Sequence, residues 1–329
     1  MREVVQQRDA SPLPPSTGVC IGAFDGLHRG HQALIDAAAT AGGPVALVTF
    51  DPHPLRVLAP ERAPELLLSN TVRARVAASL GVSHLVLLPF DRQMAALSPE
   101  AFIDRYLVQG LQPRLVVVGR DFRFGKGRSG TAEGLAAHLN RHAITANIVD
   151  PVAGPDADKL GSTAVRHAVR AGDVAAAAHM LGRWHAVSGT VVDGAKRGRT
   201  IGFPTANVQP DGGMLPADGV YAAYLSVWSP DAPDHGRVWP AAANLGTNPT
   251  FTGDDPAAAR TLEVYAIDVD LGERLYGVQV EVAFVARLRA EQRFDGPDAL
   301  VAQIRDDVEA AREHLDDDAR ALVLAPGDA

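Results

Sequence analysis

Hydrophobic and polar positions change rhythm once along this chain. In the first half, apolar β-branched runs at 19–24, 45–50, 84–90, 115–119 and 144–149 alternate with segments whose apolar residues recur at helical spacing. That alternation predicts a parallel sheet covered on both faces. Some helix starts carry local signals: Ser98, Pro99 and Glu100 supply a cap, a first-turn proline and an acid for the helix dipole. A longer helical stretch at 163–181 is broken at Gly172 and Asp173 and ends at Gly182.

Beyond Gly182 the rhythm becomes that of short strands punctuated by Gly and Pro, near 186–193, 219–228, 239–244, 261–268 and 278–286. This predicts a small antiparallel barrel or sandwich. Residues 298–315 read as a terminal helix with Leu300, Ile304, Val308 and Ala311 on the face that packs on it. The segments 229–237 and 252–259 read as solvated loops, and only the last few residues as disordered. The expected boundary near 182 gives one domain of residues 1–182 and another of 183–329, and 329 residues suit about two cores.

Charge excludes one class of partner. A net charge of -8 repels polyanions, so no nucleic-acid partner is expected. No apolar run approaches the roughly 20 residues that span a bilayer, and the N-terminus has no apolar signal core, so a cytoplasmic protein without a membrane partner is expected. The single cysteine, Cys20, lies in an apolar segment and reads as core. An oligomer is neither predicted nor ruled out. Aromatic residues make up only 5%, few enough to weigh one at a time.

Two strings carry chemistry. The first strand runs into Gly22, Ala23, Phe24, Asp25, Gly26, Leu27, His28, Arg29, Gly30 and His31, after which a helical pattern begins. A strand, a glycine-bearing turn and a helix N-terminus form an anion site, with phosphate as the natural guest. His28 and His31 can face the same pocket, and Gly30 lets a nucleotide approach the backbone. The plainer alternative is a helix start with two solvated histidines. Around Gly119 to Gly127 the chain is one residue too long for a P-loop and lacks its Ser or Thr.

The second string runs from Lys196 through Gly198, Arg199, Gly202, Phe203, Pro204, Thr205 and Ala206 to Asn207. Gly198 and Gly202 let amides reach phosphates, Pro204 fixes the chain, and Thr205 and Asn207 offer neutral oxygens to Mg²⁺. A hairpin loop with a basic tip is the competing reading. Glu263, on a strand otherwise apolar and aromatic, is either an exposed-face acid or a general base.

The first string resembles the His-x-Gly-His signature of nucleotidyltransferases in the longer form characteristic of bacterial FAD synthetases. The second resembles the Gly-Phe-Pro-Thr-Ala-Asn motif of riboflavin kinases. Segments following that family in order are Gly219-Val220-Tyr221, Asn244-Leu245-Gly246-Thr247-Asn248-Pro249-Thr250, Leu262-Glu263-Val264-Tyr265, Leu275-Tyr276-Gly277, and the run from Arg289 to Phe294. Over about 17–315 the chain is similar to the bacterial bifunctional riboflavin kinase/FAD synthetase family. The resemblance implies an α/β nucleotidyltransferase-like parallel-sheet domain, followed by a small antiparallel β-barrel domain with a C-terminal helix.

It also implies the activities: ATP-dependent phosphorylation of riboflavin to FMN in the second domain, and adenylylation of FMN to FAD in the first. ATP is the co-substrate, with Mg²⁺. By the same resemblance Gly22, Phe24, Asp25, Gly30, Ser162, Thr163, Gly198, Arg199 and Gly202 bind ATP, and His28, His31 and Arg166 act in adenylylation. Glu263 is the kinase base, and Thr205 and Asn207 hold the metal. His53, Asp121, Phe122, Phe124, Arg289, Glu291 and Phe294 face the flavin; for Phe122 and Phe124 core packing competes. Two positions depart from the pattern: Gly161 where relatives commonly carry Ser, and Tyr265 where they often carry His. The alternatives are a kinase whose adenylyltransferase domain is weakened at Gly161, and a catalytically silent flavin sensor.

Overall fold

The computed structural model describes residues 4–153, 160–194, 201–247, 260–271 and 273–324, and the elements and contacts below are theirs. Two compact units form, one of Met1–Glu65 with Asn70–Gly161 and one of Leu66–Ser69 with Ser162–Ala329.

The first unit is a parallel sheet. Its strands are β1 (Val5–Gln7), β2 (Gly18–Ile21), β3 (Val45–Asp51), β4 (His84–Pro89), β5 (Leu115–Gly119) and, after a short hairpin of β6 (Arg123–Phe124) and β7 (Gly130–Thr131), β8 (Thr145–Val149). The order is β1-β4-β3-β2-β5-β8 and every pairing is parallel. Both faces are covered, so β2 is buried throughout and β3, β4 and β5 are buried along most of their length. The helices are α1 (Arg29–Ala39), α2 (Pro54–Leu58), α3 (Asn70–Ser79), α4 (Arg92–Ala95), α5 (Pro99–Phe102) and α6 (Ala132–Asn140). Ser98 caps α5 as expected, its side chain accepting from Ala101 N at 3.1 Å, and the chain continues through wider π-helical turns at Ile103–Leu111. From β2 the chain winds first toward β3 and β4 and later toward β5 and β8. The crevice beyond the carboxyl ends of β2 and β5 is therefore the switch point at which open α/β sheets bind ligands.

In the second unit α7 (Ser162–Ala171) and α8 (Val174–Leu181) precede β9 (His185–Val192). The break falls where the sequence put it: Gly172 takes φ +79°, Asp173 caps α8 through Ala176 N at 2.9 Å, and Gly182 closes it in the left-handed region. β10 (Ala206–Pro210), β11 (Gly219–Val227), β12 (Val238–Thr247), β13 (Arg260–Ala266) and β14 (Gln279–Arg289) complete a closed antiparallel barrel in the order β10-β13-β12-β11-β14-β9. A barrel rather than a sandwich thus forms, aided by register irregularities between β11 and β14. Tyr221, Ala223, Leu225, Leu262 and Val264 fill the interior. Ala222, Tyr224 and Ala242 face outward against Val308 and Ala311 of α9 (Pro297–Arg312). A short α10 (Asp317–Ala321) is held by Trp184 Nε1 donating to Ala319 O at 2.7 Å and Tyr224 OH donating to Asp316 O at 2.8 Å.

Candidate active sites

The loop after β2 is strained and buried together. Phe24 and Leu27 adopt φ of 46° and 45° around Gly26 at 86°, a left-handed backbone that costs a non-glycine residue about 1–2 kcal/mol. Both side chains are fully buried, which contributes about 1.5–3 kcal/mol each and outweighs that strain. The loop is pinned to its neighbours by Gly22 N donating to Val48 O at 3.1 Å and Thr49 Oγ1 donating to Ala23 O at 3.0 Å. Backbone strain of this kind collects at functional sites.

The loop delivers His28 to the N-cap of α1, where its carbonyl accepts from His31 N at 2.7 Å and Gln32 N at 3.0 Å. Its imidazole does not cap the helix; it stacks on His31, with ring centroids 3.7 Å apart and planes inclined by 20°. Phe24 supports His31 edge-on at 5.1 Å. A Cβ on Gly30 would sit 3.1 Å from two His28 ring atoms, so glycine makes room for the ring. No acid occupies the first turn of α1, which leaves its positive end suited to an anion.

Beneath the loop lies a cation that sequence reasoning missed. Arg73 of α3 is 3% exposed, and its Nε has no hydrogen-bond partner among the described residues. Burial pulls its guanidinium below the usual range, opposed by the charges of Asp25 and Asp51. Asp25 is itself buried. The available signal was Arg73 sharing a helical stripe with Val76 and Ala77.

The remaining positions of this unit divide. His53 caps α2, its Nδ1 accepting from Leu55 N at 3.2 Å, directly after the cis Asp51–Pro52 bond. Phe122 and Phe124 stack at 5.3 Å; Phe124 is buried against Phe102, whereas Phe122 is half-buried and Asp121 exposed. Core packing thus accounts for Phe124, while Phe122 keeps an accessible part. Ser162, Thr163 and Arg166 occupy the first two turns of α7, which groups with the second unit.

In the barrel, register assembles the site. Glu263 of β13 lies opposite Asn207 of β10 on one side and Asn244 of β12 on the other. All three are half-buried and alternate with the interior residues Val208, Leu262 and Leu245, so they form one row on the outer face. Asn244, quoted within a family segment but given no role of its own from the sequence, hydrogen-bonds Glu291, whose carboxyl is raised above its usual range chiefly by burial and the nearby Asp218. Glycines bound the row: a Cβ on Gly194 would collide with the Asn207 amide, and one on Gly246 with the Glu291 carboxylate. Phe203 meets Tyr265 edge-on at 5.3 Å. Gly202, at φ +86°, turns the chain ahead of Thr205. Gly198 and Arg199 lie outside the described residues.

Arg289 is committed to the fold. It makes a bidentate pair with Asp307 of α9, at 2.8 and 2.7 Å, and lies 5.7 Å from the Phe294 ring. A carboxylate between two amides, with a threonine hydroxyl ahead of the strand, is the donor chemistry that Mg²⁺ accepts.

Residues 11–164 match the family model described as FAD synthetase, and residues 181–315 the one described as riboflavin kinase. The bifunctional riboflavin kinase/FMN adenylyltransferase of Escherichia coli K12 is 38% identical over 89% of this chain and 91% of its own length. The chain belongs to the bifunctional riboflavin kinase/FMN adenylyltransferase family. The Bacillus subtilis member is 34% identical over 89% of this chain and 90% of its own. A solved structure described as a macrolide-efflux protein from Streptococcus pneumoniae is 31% identical, with a TM-score of 0.80 over 94% of this chain and 99% of that one. Among the described residues here, no helix is long and apolar enough to cross a membrane. The chain is a two-domain transferase, with its FMN adenylyltransferase domain first and its riboflavin kinase domain second.

Proposed function

We propose that Glu263 is the general base of the kinase reaction. Its carboxylate takes the proton of the riboflavin 5′-hydroxyl as that oxygen attacks the γ-phosphorus of ATP, breaking the bond to the ADP oxygen and yielding FMN. Asn207 and Asn244 flank Glu263 in the neighbouring strands. Thr205 and Asn207 would hold Mg²⁺, which supplies charge neutralisation to the phosphates when bound. The observation that carries this reading is the position of Glu263 in the middle of an amide row.

In the adenylyltransferase domain the FMN phosphate oxygen attacks the α-phosphorus of ATP and pyrophosphate leaves, without a covalent enzyme intermediate. His28 and His31 donate to phosphate oxygens beside the positive end of α1, and Ser162, Thr163 and Arg166 are assigned to the outer phosphates of ATP. Positioning and electrostatic stabilisation are the main contributions of the protein. We place the domain boundary near 182, supported by the left-handed cap at Gly182 and the start of the kinase match at residue 181, although α7 and α8 group with the second compact unit, which resumes at Ser162. A cytoplasmic site of action belongs to the same proposal, because both reactions draw on ATP.

The test is a product assay on the full chain. Riboflavin, ATP and Mg²⁺ should give FMN and then FAD, and chelating the metal should stop both. If riboflavin is bound but neither product forms, the sensor alternative is correct.

A further inference from the structure

Two helical segments of the first unit bring together three donors that neither reaction uses. Asp104 lies in the wide turns of Ile103–Leu111, His138 in the last turn of α6, and His142 just beyond it. Arg141 N donating to His138 O at 3.1 Å and His142 N donating to Leu139 O at 2.9 Å keep the chain coiled past Asn140, so the two histidines share a face. His138 Nε2 is 2.7 Å and His142 Nε2 is 3.7 Å from the same oxygen, Asp104 Oδ1. One donor atom from each residue lies within 4.8 Å of the others.

We propose that Asp104, His138 and His142 form a binding site for a transition-metal dication of the zinc class. A tetrahedral Zn²⁺ with bonds of about 2.0–2.2 Å separates its ligand atoms by about 3.4 Å, a spacing bracketed by the two distances to Asp104 Oδ1. Two imidazoles and one carboxylate suit zinc, nickel or copper, whereas Mg²⁺ and Ca²⁺ take oxygen donors. Glu100, one turn before Asp104, interacts electrostatically with both Asp104 and His138 and adds negative charge beside the donors. Asp104 and His142 are 42% and 39% exposed while His138 is 13% exposed, so one ligand is anchored and the other two remain open to an incoming ion. A bound ion would tie α6 to the segment that follows Phe102, next to the hairpin carrying Phe124.

The test uses the full chain, stripped with a chelator, dialysed and titrated with zinc chloride by calorimetry. Co²⁺ serves as a parallel probe through its visible absorption in tetrahedral sites. One equivalent is expected that weakens roughly 10–100-fold or more in His142→Ala and in Asp104→Asn, since even outer partners of metal ligands matter that much. Circular dichroism of the metal-free variants should match the parent, with melting lowered only slightly where Asp104→Asn weakens the hydrogen bond to His138, and His31→Ala should keep the equivalent. The proposal is overturned if the parent binds Zn²⁺ no better than an Asp104→Asn/His142→Ala double variant. It is equally overturned if the equivalent persists in that double variant and vanishes in His31→Ala.

Discussion

Asn207 and Glu263 face one another across the β10–β13 ladder, although 55 residues of chain separate them. The pairing gives Glu263 a neutral amide neighbour in the ladder, one that does not compete for a proton. Replacing Glu263 by Gln keeps the shape and removes the proposed base. Riboflavin phosphorylation should fall by roughly 10²–10⁴-fold in kcat with little change in KM for ATP, while FMN adenylylation is retained. Phosphorylation surviving in Glu263→Gln at near the parent rate would remove the general-base assignment.

His28 and His31 act as a stacked unit, and their energetic effects should not add. Each single alanine variant is expected to lower FMN adenylylation by about 10²–10³-fold, and the double variant little further, because losing one ring removes the support of the other. Pyrophosphate release from FMN and ATP measures this. Fully multiplicative losses would mean that the rings work independently. Riboflavin phosphorylation should be unchanged in all three variants.

The parallel strands were legible because both faces are buried, which leaves nearly continuous apolar runs in β2 to β5. Besides the two-residue β6 and β7, two strands were not. β1 is three residues at a sheet edge, two of them glutamines. β10 contains a single core residue, Val208, and is held by ladders on both sides, so tertiary pairing overrides a sequence that reads as a turn. The site divides in the same way. His28, His31 and Thr205 sit in contiguous motifs and could be read directly, whereas the pairing of Asn244 with Glu291 arises only when distant strands close the barrel. Arg73 went unseen because an arginine in a helix reads as a solvated face until its burial is known.

Arg73 sits between the adenylyltransferase loop and the end of β3 as a buried charge facing Asp25 and Asp51. Removing it takes away a positive charge that acts on the buried Asp25 carboxylate. Arg73→Met should therefore lower the urea midpoint of the first unit clearly and weaken FMN adenylylation. Arg73→Lys, which keeps the charge, should recover most of the stability. Equal stability of Met and Lys variants would show that packing rather than charge matters there.

Cys20 is fully buried, donates to Leu34 O at 3.1 Å, and has its thiol pushed up by burial. A thiol held in that state is a poor nucleophile. Thiol reagents at neutral pH should leave the native protein unlabelled and modify one residue per chain after denaturation. Rapid labelling of the native protein would contradict a core role.

Gly161 decides between a fully active adenylyltransferase domain and a weakened one. A Cβ there would meet nothing within 4 Å and no left-handed backbone is required, so Gly161→Ser should fold with stability changed by only a few tenths of a kcal/mol. The new hydroxyl stands directly ahead of Ser162 and Thr163, which already carry two. A hydrogen bond to a charged phosphate contributes about 1.5–3 kcal/mol, so restoring a missing one would raise kcat/KM for ATP in FMN adenylylation by roughly 10–100-fold. If Ser162 and Thr163 already satisfy the phosphate, the gain should be within a few-fold, and that is the expected result. A rise of tenfold or more would assign the weakness to Gly161, with FMN accumulating ahead of FAD in the parent enzyme.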